Sequence, residues 1–220
     1  MATPLRCIRG ALAILLLLGC AGGPQRSQPP ASAGFFAPSG FLGDYSALRP
    51  GGGGAARLVY IDTAVDFSRY DRVIIEPVVV WKSDEARFVG VSPSQREALA
   101  REFQAEFERA FAQEFVIGKG DPGPGTLRVR NALTAAIAAP GSADPERLQY
   151  VEVELELLDA VTNQRLAAAV DSKGARPSSA RGAPQVVEAR AAFEEWADRA
   201  AVRVAALRDL DRQHQQPRTP

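Results

Sequence analysis

Glu152, Glu154 and Glu156 alternate with Val151, Val153, Leu155 and Leu157 in the stretch VEVELEL. On a strand, three carboxylates so spaced share one face and lie about 7 Å apart. That separation falls in the window used by the paired carboxylates of inverting glycosidases. Such a pair also needs a concave site and surroundings that push its two pKa values apart. Strict alternation implies instead the open face of a half-buried antiparallel strand, so solvated glutamates are the expected reading. A cation site built from them is weaker still, because hard cations take six or more oxygen ligands converging from loops. The one histidine, His214, stands in the polar, proline-containing DRQHQQPRTP, and residues 213–220 are expected to be a disordered tail. A Ser-His-Asp hydrolase needs a histidine held beside its serine. The Gly123–Gly125 loop is followed by neither a Walker lysine nor a helix pattern, so it reads as a tight turn into a strand rather than a phosphate cradle. No catalytic residue, metal ligand or cofactor is assigned.

The remaining reactive group is Cys20, at the end of LLLLGC. Arg6 and Arg9 precede an apolar run, Ala11 to Leu18, and a run this short is a signal-peptide core rather than a membrane span, which needs about 20 residues. Leu17-Leu18-Gly19-Cys20 resembles the lipobox of bacterial lipoproteins, in which the peptide is cut before the cysteine and the cysteine is acylated. Residues 1–19 are therefore expected to be a cleaved lipoprotein signal peptide, with Cys20 lipidated. One acyl chain holds a protein to a bilayer only marginally, whereas two or three anchor it firmly. With Cys7 removed and Cys20 blocked, no thiol remains for catalysis, zinc binding or a disulfide. In bacterial lipoproteins a residue other than Asp after the cysteine generally directs the protein to the outer membrane, and Ala21 fits that rule.

Charge excludes one large class of partner. The chain has 26 basic and 26 acidic residues, and loss of Arg6 and Arg9 leaves 24 against 26, near −2. Neither nucleic acid nor an anionic surface is an expected partner at that balance. Residues 20–34, rich in Pro, Gly and Ser, read as the lipidated cysteine and a flexible tether. Stretched at roughly 3.3 Å per residue, it would hold the domain some 45 Å from the bilayer. Residues 35–212 fit one domain of ordinary size.

The elements of that domain follow from pattern. Leu58 to Ile61 and Asp71 to Trp81 read as strands, with Pro77 marking an edge or a bulge in the second. Ser92, Pro93 and Gln95 form a capping-box pattern, and Leu99, Phe103, Phe107, Phe111 and Phe115 recur every four residues behind it. That stripe is expected to pack on a sheet as core. Three strands follow, in TLRVRNALTAAIAA, LQYVEVELELLDA and RLAAAVDSK, the last two joined by a hairpin turn in which Asn163 can take the left-handed conformation. From about Pro184 to Arg212, apolar residues three and four apart, among them Phe193 and Trp196, read as a second amphipathic helix. The order predicts an α+β fold: a single, mostly antiparallel sheet of about five strands with two amphipathic helices packed on one face.

Four ordered blocks, SGFLGDYSALRP (39–50), YIDTAVDFSRYDRVIIEPVVVW (60–81), PGPGTLRVRNALTAAIAA (122–139) and VEVELELLDAVTNQRLAAAVDSK (151–173), with Trp196 after them, resemble the uncharacterised bacterial lipoproteins of domain-of-unknown-function family 3313. The hairpin turn departs from that pattern, reading Thr162-Asn163-Gln164 where a glycine is expected. The resemblance implies an envelope location and carries no catalytic residue. In its first block Phe41, Leu42, Tyr45 and Leu48 form either a latch packed across the domain or a partner-binding patch. The expected function is a non-enzymatic envelope docking module, anchored at the outer membrane and facing the periplasm, with an envelope protein or the cell wall as partner. The alternative is a lipid or small-ligand carrier with a pocket between the sheet and helix 93–115.

Overall fold

The computed structural model describes residues 37–81, 87–142, 144, 146–175 and 186–216. The leader, Cys20 and the whole tether expected over residues 20–34 lie outside the described residues. The elements run β1 (Arg49–Pro50), β2 (Leu58–Ile61), β3 (Arg72–Ile75), β4 (Val79–Val80), β5 (Phe88–Val89), α1 (Pro93–Glu114), β6 (Val116–Ile117), β7 (Thr126–Ala138), β8 (Arg147–Asp159), β9 (Arg165–Gly174), β10 (Val187–Glu188) and α2 (Ala189–Gln215). They form one mixed, mostly antiparallel sheet in the order β1-β2-β9-β8-β7-β3-β6, with β4 and β5 pairing β7 and β10 pairing β8. Ten strands therefore replace the five expected. The additional ones are two-residue strands, too short to show a period.

β7, β8 and β9 are the long strands and carry the fold. β8 and β9 meet through a turn in which Asn163 has φ 61°, as its side chain permits. Asp159 holds that turn, its Oδ1 accepting from the Val161 and Thr162 amides at 3.0 and 2.8 Å. Around Pro77 the chain advances four residues, from Ile75 to Val79, where β7 advances three, from Val129 to Ala132. The expected bulge is there, separating β3 from β4. Gly125 enters β7 with φ +74°, and a Cβ on it would stand 2.6 Å from the Arg69 carbonyl oxygen. The loop before β7 is thus a tight turn that only glycine permits.

α1 begins as its sequence dictates: Ser92 Oγ accepts from the Gln95 amide at 3.3 Å, and Gln95 Oε1 accepts from the Ser92 amide at 2.8 Å. Phe103, Phe107 and Phe111 are buried against the sheet, and Phe103 meets Phe193 of α2 with ring centroids 4.9 Å apart. Both helices lie on one face, closing a core that includes Val129, Leu133, Val151, Val153 and Leu157. α2 extends to Gln215, so His214, assigned to a disordered tail, stands on an exposed last helical turn. The helix was expected from about Pro184, which lies outside the described residues; Val187–Glu188 form β10 and α2 starts at Ala189.

The opposite face of the sheet is covered by residues 37–48. Phe41, Leu42, Tyr45 and Leu48 are 7, 4, 5 and 2% exposed and pack on Leu58, Ala132, Ala168 and Val170. As an exposed patch these four are corrected: they sit as a latch, because the sheet has two apolar faces and the helices cover only one.

Candidate functional site

Beneath the latch lies the glutamate row. Glu152, Glu154 and Glu156 are 2, 0 and 4% exposed, which corrects the solvated face expected from their alternation. Burying carboxylates is costly unless each is paired, and each is. Glu152 Oε1 receives Arg87 at 2.7 Å, its Oε2 accepts from the Tyr150 hydroxyl at 2.6 Å, and Thr134 Oγ1 lies 3.2 Å away. Glu154 Oε2 accepts from the Tyr45 hydroxyl at 2.6 Å, and its Oε1 from the Ser39 amide at 3.4 Å. Glu156 is held between Arg130 and Arg165, both at 2.6 Å. Burial pushes Glu154 above its ordinary carboxylate value, outweighing the hydrogen bonds from Tyr45 and Ser39 that lower it. The Tyr45 hydroxyl is pushed up to about 12 by burial and by the Glu154 charge.

The same groups fasten the latch. Arg87 and Arg165 also donate to the carbonyls of Ala37 and Leu42, Trp81 Nε1 donates to Ser39 O at 2.8 Å, and Phe41 meets Trp81 edge-on at 5.6 Å. The three carboxylates therefore act as anchoring acceptors for a distant segment. Their oxygens are engaged by arginines, tyrosines and amides, and the three residues are 0–4% exposed.

On the helix side of the sheet the arrangement is different. A cavity of about 460 Å³ lies between β2, β8 and β9 below and α1 and α2 above. Its walls are Phe103, Phe107 and Phe111 of α1, Trp196, Val204 and Leu207 of α2, and Ile61, Leu155 and Leu157 of the sheet. It exists because β9 points Ala167 and Ala169 at the helices where larger side chains would fill the space. Leu155 and Ile61 consequently stay only half-buried although two helices lie over them. Gly52 to Ala55, all exposed, and exposed Arg203 line its mouth. Its volume and lining suit a small apolar molecule, since ligand sites are mostly apolar clefts of about 300–1,000 Å³. None of the residues singled out for chemistry from sequence lines it. It lies where the alternative reading put a pocket, between the sheet and helix 93–115; the Ala167-Ala168-Ala169 run and the Gly51–Gly54 loop are the further signals that would have completed its lining.

Residues 37–200 match the family model described as protein of unknown function, DUF3313. The chain belongs to that family. The matched span includes the latch, the glutamate row and most of the cavity wall, so both features are parts of the DUF3313 domain rather than additions to it. No curated protein matches the chain significantly. Among solved structures, the PelC dodecamer from Paraburkholderia phytofirmans is 11% identical, with 68% of this chain and 95% of that chain covered and a TM-score of 0.36. The hypothetical protein CT253 from Chlamydia trachomatis is 14% identical over 62% of this chain and 99% of that one, TM-score 0.39. Protein XCC0632 from Xanthomonas campestris is 13% identical over 64% and 88%, TM-score 0.38. Likenesses this low decide neither mechanism nor partner. Among the described residues of this DUF3313 chain no helix is long and apolar enough to cross a membrane, and no group of three or more His, Cys, Asp or Glu could hold a metal ion.

Proposed function

We propose that this DUF3313 protein is a non-enzymatic envelope lipoprotein, held at the outer membrane by acyl chains on Cys20 and facing the periplasm, whose domain carries a small apolar molecule in the cavity beneath α1 and α2. The lipobox and Ala21 support the location. The carrying observation is the cavity itself: about 460 Å³ walled by aromatic and aliphatic side chains in an otherwise close-packed core. Docking through Phe41, Leu42, Tyr45 and Leu48 loses its support, because those side chains are spent on the sheet.

The test uses N-phenyl-1-naphthylamine, an uncharged fluorophore that brightens in apolar surroundings, added to the lipidated protein in nanodiscs. Saturable brightening above empty nanodiscs, weakened in an Ala169→Leu variant whose side chain intrudes on the cavity, is the expected result. Equal signal from the native protein, the variant and empty nanodiscs overturns the reading.

A further inference from the structure

The cavity is apolar throughout its depth, but its rim is charged, and the charge has a sign. Three charged side chains line it: Asp171 of β9, and Arg199 and Arg203 of α2. Asp171 and Arg199 form an ion pair with each other, and Arg199 also reaches Glu195 at 3.4 Å. Asp171 is further engaged by the amides of Arg57 and Ser172 at 3.3 and 2.9 Å. That carboxylate is fully committed and neutralises the arginine beside it.

Arg203 differs. It stands one helical turn beyond Arg199, is exposed at the mouth, and makes no ion pair with any described residue. An arginine guanidinium presents several donors in a planar fork that matches a carboxylate or phosphate. A ligand whose apolar body lies against Leu155, Ala167, Ala169 and Leu207, half-buried side chains of the lining, would bring its outer end to this fork. A positively charged end would meet Arg203 unfavourably, and a neutral end would leave it unused.

We infer that the cavity takes a single-chain amphiphile with an anionic head group, its chain against Leu155, Ala167, Ala169 and Leu207 beneath the helices and its head on Arg203. This rests on the carrier reading above and names the ligand class. The carboxylate of a fatty acid and the phosphate of a monoalkyl phosphate share the required chemistry.

Three photoreactive probes with the same diazirine-bearing dodecyl chain test it, ending in a carboxylate, a phosphate or a hydroxyl. Each is crosslinked to the lipidated protein in nanodiscs, and labelled peptides are mapped by mass spectrometry. The expected labels fall on the peptides carrying Phe103 to Phe111 and Trp196 to Leu207, with at least one anionic probe labelling about fivefold or more above the alcohol, as a charge-assisted hydrogen bond supplies. Which anion labels better distinguishes carboxylate from phosphate. Arg203→Gln is expected to bring the anionic probes down to the alcohol's level and leave the alcohol unchanged. If all three probes label the cavity equally and Arg203→Gln changes nothing, the head-group assignment falls and the apolar carrier stands. If no probe labels these peptides above the Ala169→Leu control, the carrier reading falls and this inference with it.

Discussion

Arg87 and Glu154 show how single groups hold the latch. Arg87 is buried, ion-paired to Glu152 at 2.7 Å and bonded to the Ala37 carbonyl. Removing one member of a buried pair strands the other charge, at a cost of about 3–5 kcal/mol. Arg87→Ala is therefore expected to lower unfolding free energy by about that amount in urea titration, far beyond the effect of an exposed arginine. Glu154 gives a pH signature. Burial raises its carboxyl above 4.5, so the folded protein holds that proton more tightly than the unfolded chain does. Its contribution to stability is fully present below pH 4.5 and is lost as pH rises through the folded value. Glu154→Gln carries no charge at any pH, so its stability is expected to fall less than the native protein's over that window; an unchanged slope would remove Glu154 as the titrating group. Asp159 acts in a separate window. Burial opposes ionisation there, but the Thr162 amide, the Tyr70 hydroxyl and the Val161 amide hold it below 3.8, so its contribution disappears only as pH falls through that lower value.

Among the elements, α1, β8 and β9 were the most legible and the two-residue strands the least. The Ser92-Pro93-Gln95 cap and the four-residue phenylalanine spacing placed α1 to the residue at its start. Alternation placed β8 and assigned its two faces correctly, but it could not tell a solvated face from one covered by a segment more than a hundred residues earlier. That cover is a tertiary fact, and the polar partners that make it tolerable come from four separate stretches carrying Tyr45, Arg87, Arg130 and Arg165. The pocket between the sheet and helix 93–115 was legible only as an alternative, for a related reason that lies in β9. Alanine on a strand reads the same whether the facing helix descends to meet it or stays above it. The cavity predicts an unusual outcome for a larger side chain in the core. Ala169→Leu should raise the melting temperature of ligand-free protein, by the equivalent of about 0.5–2 kcal/mol, where the same change in a filled core typically costs about 1–3 kcal/mol. Destabilisation in a thermal melt would mean that the space is not available to a methyl group.

The two faces of one sheet are used differently: one is sealed by the latch through buried charges, and the other keeps room under its helices. The latch, residues 37–48, is the N-terminal part of the described domain. Cys20→Ala is expected to shift the protein out of the outer-membrane fraction on envelope fractionation, with unchanged latch and cavity. Retention in that fraction would place the anchor elsewhere. The central claim is that the cavity is occupied in the cell, and native mass spectrometry of the lipidated protein, extracted gently from its own envelope beside the Ala169→Leu variant, tests it most directly. The account predicts a mass above that of the acylated chain, carried by a component that leaves on collisional activation and is depleted in the variant. The mass of the acylated chain alone, in both proteins, would contradict it.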